Sequence, residues 1–191
     1  MGGLLALTTR APLGLRPPPL WAGLRWGSAA AAVAVTMIAA TTPIPMVRLS
    51  MAARELPLSV PCWLGLQIPI GTVWAEETAF RAALGTAAAD AFGRVGGRLL
   101  QAGAFGLSHV ADARAAGEPA VPIVLITGLA GWIFGWLADR CGSLAAPILV
   151  HLAINESGAL AAVAVQRLSG MATASAAVAI ASAAQPGAAG R

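Results

Sequence analysis

A chain of 191 residues that is 58% hydrophobic and 10% charged, with a mean hydropathy of +0.75, carries too little charge for a soluble domain, where roughly 25% is usual. Its net charge of +4 and pI near 11.0 come from 12 basic residues, all arginine, scattered at loops rather than clustered. That distribution suits the flanks of membrane spans and excludes a nucleic-acid footprint, and two cysteines without a CxxC pattern exclude a disulfide framework and a zinc ribbon.

The reading expects an all-α, multi-pass transmembrane helical bundle. Residues 1–27 hold Arg10, Arg16, Arg25 and the run Pro17-Pro18-Pro19, and read as a disordered, arginine-bearing tail. A short apolar piece, Gly2 to Ala6, precedes the charge, which is the reverse of a signal peptide. Five spans follow in the 28–166 region, each with few or no charges: Ser28 to Met46, Leu56 to Ala75, Leu99 to Ala111, Pro119 to Ala138, and Ser143 to Gln166. The Ala-rich segment 167–191 offers a marginal sixth, Met171 to Ala184. Trp21, Trp26, Trp63, Trp74, Trp132 and Trp136 lie mostly near span ends, as an interfacial belt requires. Setting Arg10, Arg16, Arg25, Arg94, Arg98 and Arg140 inside puts the N-terminus in the cytoplasm.

Acids are scarce, 8 in all, yet Glu76 and Glu77 stand side by side in an apolar run. A charge at the bilayer centre costs roughly 2.5–3.5 kcal/mol on insertion scales, so such residues are functional by default. Glu77 and Arg81 are four apart and share a helix face, where they can pair. Adjacent residues on a helix diverge by ~100°, so Glu76 is left to face elsewhere, free to serve as a general base. The chain's two histidines, His109 and His151, lie in separate apolar segments, each with a partner one turn away: Phe105 with His109, and Asn155 with His151.

The run Ala75-Glu76-Glu77-Thr78-Ala79-Phe80-Arg81 resembles the EExxxR motif of the CPBP family, which comprises type II CAAX prenyl endopeptidases and bacterial Abi or bacteriocin-processing membrane proteins. Phe105 to His109 resembles that family's FxxxH motif, and His151 to Asn155 its HxxxN motif, in the same order, over a motif core of 56–166. The resemblance implies an intramembrane protease in a bacterial cell membrane, acting on a membrane-associated peptide or protein. Glu76 with His109 would activate water, and His151 with Asn155 would stabilise the oxyanion. Glu77, Arg81 and Phe105 would support them. Ala82 departs from the glycine that many members carry after the arginine.

No cofactor is expected. A zinc version, with Glu76, His109 and His151 as ligands, matches the His₂Glu count of catalytic zinc and stays open, although HExxH is absent. Two other readings also stay open: a non-catalytic immunity or scaffold protein of the same fold, and a small transporter with Glu76 and His109 as a proton relay. The lack of an internal repeat weighs against the transporter.

Overall fold

Prolines open the first two helices. Pro19 starts α1 (Pro19–Thr41) and Pro45 starts α2 (Pro45–Ala53), positions where a missing N–H costs nothing and the fixed φ suits a helix. The computed structural model describes residues 13–183, with side chains as far as residue 177, and no strand occurs among the described residues.

A helical turn, Val60–Cys62, leads into α3, which is wound as a π-helix over Trp63–Trp74 and again over Glu77–Leu84. Such i→i+5 winding is rare at this length and concentrates at functional sites. The chain continues without a loop into α4 (Gly85–Ser108), which kinks at Gly93 with φ +73°. A short α5 (Val110–Ala115) precedes α6 (Ala120–Cys141), which ends at Gly142 in the left-handed conformation that glycine adopts freely. The last helix, α7, runs over Ala145–Ala183.

Small residues set the two main packing interfaces. A Cβ on Gly23 would meet Ser143 and Ala145, and one on Gly27 would meet Ala146 and Leu149, so α1 lies parallel to the start of α7. Along α4 and α6 the pairing is antiparallel: Arg98 meets Asp139, Gln101 meets Gly135 and Phe105 meets Gly131. Close approach through small residues is how membrane helices gain contact where lipid is as apolar as leucine. The core between α6 and α7 holds Phe134, Leu137, Cys141, Ala146 and Val150, with Ala22 and Ala30 of α1 packed against it.

Among the described residues three helices are long and apolar enough to cross a membrane: Pro19–Thr41, Ala120–Cys141 and Ala145–Ala177. With Val33, Met37, Leu125 and Ile126 turned outward, the chain is an integral membrane protein. These three do not confirm the expected count of five. Leu56 to Ala75 falls largely on the π-wound stretch Trp63–Trp74, which runs on without a loop into Glu77–Leu84. Leu99 to Ala111 is shared between α4, which also carries Asp90, Arg94 and Arg98, and α5 beyond a break at His109. The first span is shifted, since α1 begins at Pro19 inside the segment read as a tail; the first 12 residues of that tail lie outside the described residues. Ser143 to Gln166 and Met171 to Ala184 belong to one unbroken helix as far as residue 183, because the residues between them include no proline and Arg167 and Leu168 are good helix formers; Ala184 and the rest of the C-terminal segment lie outside the described residues. Residues 167–177 are all exposed, so α7 projects beyond the bundle.

Three of the six tryptophans gather at one end of α6. Trp26 and Trp136 stack edge to face at 6.2 Å. Arg140 lies over Trp26 at 5.4 Å and Arg98 over Trp132 at 5.7 Å. Aromatic rings and arginines at a common level mark one membrane–water boundary.

Candidate active site

The π-wound part of α3 delivers Glu76, Glu77 and Arg81 to the centre of the bundle. Glu76 occupies the two-residue interval between the two π stretches, and Glu77 opens the second. Glu77 is fully buried and Arg81 is 6% exposed. Their side chains pair as expected, with Arg81 Nε 3.3 Å from Glu77 Oε2.

The other oxygen of Glu77 makes a contact that spacing alone does not predict. His151 Nδ1 lies 2.8 Å from Glu77 Oε1, across 74 residues of chain. A ring nitrogen beside an ionised carboxylate carries the proton, so His151 donates from Nδ1. The opposite edge, Nε2, lies 3.8 Å from Glu76 Oε2. Glu76 is therefore not sent elsewhere. The two carboxylates diverge as helix neighbours do, and a single imidazole spans them because its two nitrogens sit on opposite edges of the ring. Glu76 keeps partial access, with 29% of its side chain exposed.

Aromatic rings complete the enclosure. The Arg81 guanidinium lies 4.0 Å from the centre of Phe105 and 5.0 Å from that of Phe134, a cation–π arrangement in a desolvated setting. Phe134 stacks on His151 at 5.1 Å, and Phe105 meets His109 edge to face at 4.8 Å. Phe105 thus touches both the cation and a histidine.

His109 caps the C-terminus of α4 and is half-buried. Its Nδ1 lies 2.8 Å from the Phe105 carbonyl oxygen. A carbonyl only accepts, so Nδ1 carries the proton and Nε2 presents a lone pair. Asn155 donates one N–H to the His151 carbonyl at 3.1 Å and lines a cavity of about 330 Å³ with Thr72, Ile154 and Gly158.

The structure thus gathers Glu76, Glu77, Arg81, Phe105 and His151 directly, with His109 adjoining through Phe105 and Asn155 one turn beyond His151. Two further participants went unread in the sequence. Phe134 has no local signal, being one aromatic among several in α6. Gln101 did have one, as the only amide in its apolar stretch. It is 2% exposed and donates to the Gly131 carbonyl at 2.9 Å.

Among the described residues no three His, Cys, Asp or Glu side chains converge on a point that could hold a metal ion. Each histidine has its Nδ1 on a protein acceptor, which leaves Nε2 as its remaining ring nitrogen.

The family model for the type II CAAX prenyl endopeptidase, Rce1-like, matches residues 58–156, just over half of the chain. That stretch contains all seven of the residues singled out from the sequence. Neither the curated proteins nor the solved structures give a significant match. The chain belongs to the Rce1-like family of type II CAAX prenyl endopeptidases, a family of membrane proteases.

Proposed function

We propose that this protein is a metal-free, glutamate-type intramembrane endopeptidase. It hydrolyses a peptide bond of a membrane-associated peptide or protein, in a bacterial cell membrane with its N-terminus in the cytoplasm. The observation that carries the reading is the graded burial of the acid pair. Glu77 is sealed between His151 and Arg81, while Glu76 keeps an open edge beside His151.

A water held by Glu76 and by the lone pair on His109 Nε2 would attack the scissile carbonyl carbon. Its proton passes to Glu76 and its oxygen bonds to carbon, giving a tetrahedral oxyanion. The Asn155 amide, which has a second N–H beyond the one given to the His151 carbonyl, donates to that oxyanion. His151 joins it from Nε2 when the ring carries both protons. The carbon–nitrogen bond then breaks, and the proton on Glu76 moves to the leaving amine. Each preorganised oxyanion donor is worth about 2.7–4 kcal/mol of barrier. The donor set does not converge on a metal, so no step is routed through one.

The test is cleavage of membrane-anchored fluorogenic peptides by the purified protein in liposomes, with Glu76→Gln and a chelator as parallel arms. Cleavage that falls about 10²–10⁴-fold in Glu76→Gln and ignores the chelator is the expected result. Cleavage retained by Glu76→Gln would remove Glu76 as the base, and cleavage lost to the chelator would move the reading to a metal enzyme.

A further inference from the structure

The cavity that Asn155 lines is a groove between two helices. On α3 its wall runs from Trp63 past Ile68 to Thr72, and on α7 it includes Ile154, Asn155 and Gly158. Thr72 stands one turn before Glu76, and Asn155 one turn after His151, so the inner end abuts the acid–histidine cluster. Arg54 completes the lining beside Trp63, with its guanidinium 5.9 Å from the centre of that ring. Gln166 of α7 fixes the Arg54 backbone there, since its Nε2 donates to the carbonyls of Met51 at 3.0 Å and Arg54 at 2.6 Å.

The same contact sets the depth of the groove in the membrane. Gly27, next to Trp26, packs on α7 at Ala146. At about 1.5 Å per residue, Gln166 lies about 30 Å further along α7, the thickness of a bilayer core. Arg54 and Trp63 therefore mark the membrane boundary opposite to that of Trp26 and Trp136, and Asn155 lies between the two.

Charge selects the occupant. Among the described residues Arg54 is the one charged side chain in the lining, and no carboxylate pairs with it. Arg81 and Arg98, by contrast, each have an acid of their own. A free guanidinium at the mouth of an otherwise neutral groove repels a cation and offers a carboxylate two parallel hydrogen bonds.

We propose that this groove holds the substrate, which enters from the Arg54 face, and that Arg54 binds a carboxylate of that substrate, either an acidic side chain or a chain end. That the occupant is a peptide rests on the proposed reading of the Glu76 cluster as a protease. Ile68 and Ile154 take an apolar residue lying between that carboxylate and the bond presented at Asn155. Arg54 thereby determines specificity and sets the register of the peptide.

The test reads binding rather than turnover. Full-length protein carrying Glu76→Gln is reconstituted in phosphatidylcholine nanodiscs, where no anionic lipid headgroup competes. The probes are dye-labelled, membrane-anchored peptides of varied sequence in matched forms: C-terminal acid against amide, and internal Glu against Gln. By fluorescence anisotropy, one carboxylate form should bind about tenfold or more tighter than its uncharged match, as a charge-assisted hydrogen bond provides. The pair that differs identifies the source of the carboxylate. Arg54 is exposed, so its variants should fold: Arg54→Gln should abolish the difference, Arg54→Lys keep part of it and Arg54→Glu invert it, which loss of a merely structural contact would not do. Gly158→Leu should weaken every peptide alike, because nothing lies within 4 Å of a Cβ there and the side chain would fill the groove. Equal binding within every pair, no binding of any peptide, a difference that survives Arg54→Gln, or full binding by Gly158→Leu would overturn the proposal. Cleavage without a carboxylate preference would sink this proposal and spare the protease reading; a carboxylate preference without cleavage would do the reverse.

Discussion

His151 is held between two adjacent glutamates, with Nδ1 2.8 Å from Glu77 and Nε2 3.8 Å from Glu76. The two acids thereby take different parts. Glu77 orients the ring and neutralises Arg81, and Glu76 retains an exposed edge for chemistry.

Glu77→Gln should cost both stability and activity. It leaves the buried Arg81 cation without its counter-charge, and breaking one partner of a buried pair typically costs about 3–5 kcal/mol. It also replaces the carboxylate facing His151 Nδ1 with an amide, which is a weaker, uncharged acceptor and can turn its NH₂ to the ring instead. The expected outcome is a lowered Tm in detergent together with loss of cleavage. A Glu77→Gln protein as stable as the wild type would mean that the buried ion pair contributes nothing.

Asn155→Ala should lower kcat about 10²–10³-fold, the usual effect of removing one oxyanion donor, with KM changed little. Its lost hydrogen bond to the His151 carbonyl lies within one helix, so folding should be retained. Steady-state kinetics on a cleavable peptide separates the two parameters. A change confined to KM would assign Asn155 to substrate binding in the cavity it lines.

Arg81→Lys should fail to restore function despite keeping the charge. The planar guanidinium lies against the Phe105 and Phe134 rings, a stacking that a compact ammonium does not reproduce. Phe105→Leu should weaken the same site from the other direction, by about 2 kcal/mol for a desolvated cation–π contact alone. Thermal unfolding of both variants reads the effect, and an Arg81→Lys protein with wild-type activity and stability would discard the stacking argument.

Gly106→Ala should destabilise the bundle by about 1–3 kcal/mol, the usual cost of overpacking. Its new Cβ would stand 2.5 Å from the Val124 carbonyl oxygen, a backbone atom that cannot swing aside. Gly103→Ala is the control, because nothing lies within 4 Å of a Cβ there. Comparing the two Tm values separates helix contact from helix propensity.

Membrane residence, the all-helical class and the acid pair with its two histidines were readable from the chain itself. Each rests on composition or on a local spacing: apolar runs bounded by arginine, i and i+4 pairs, and charge where charge is expensive. Glu77 with Arg81, and His151 with Asn155, are such pairs, and both meet within one helix as the spacing requires. What only the tertiary structure decided is the contact between Glu77 and His151, which joins two helices 74 residues apart. The same holds for Phe134 beside Arg81. Helix extent also escaped a linear reading. Hydrophobic pattern marks where apolar residues lie, but Pro19 starts a helix within a segment that reads as a tail, and Arg167 to Gly170 continue one where a loop was expected. Local sequence sets which face of a helix a residue shares, whereas packing between helices sets which faces meet, and a catalytic site depends on the second.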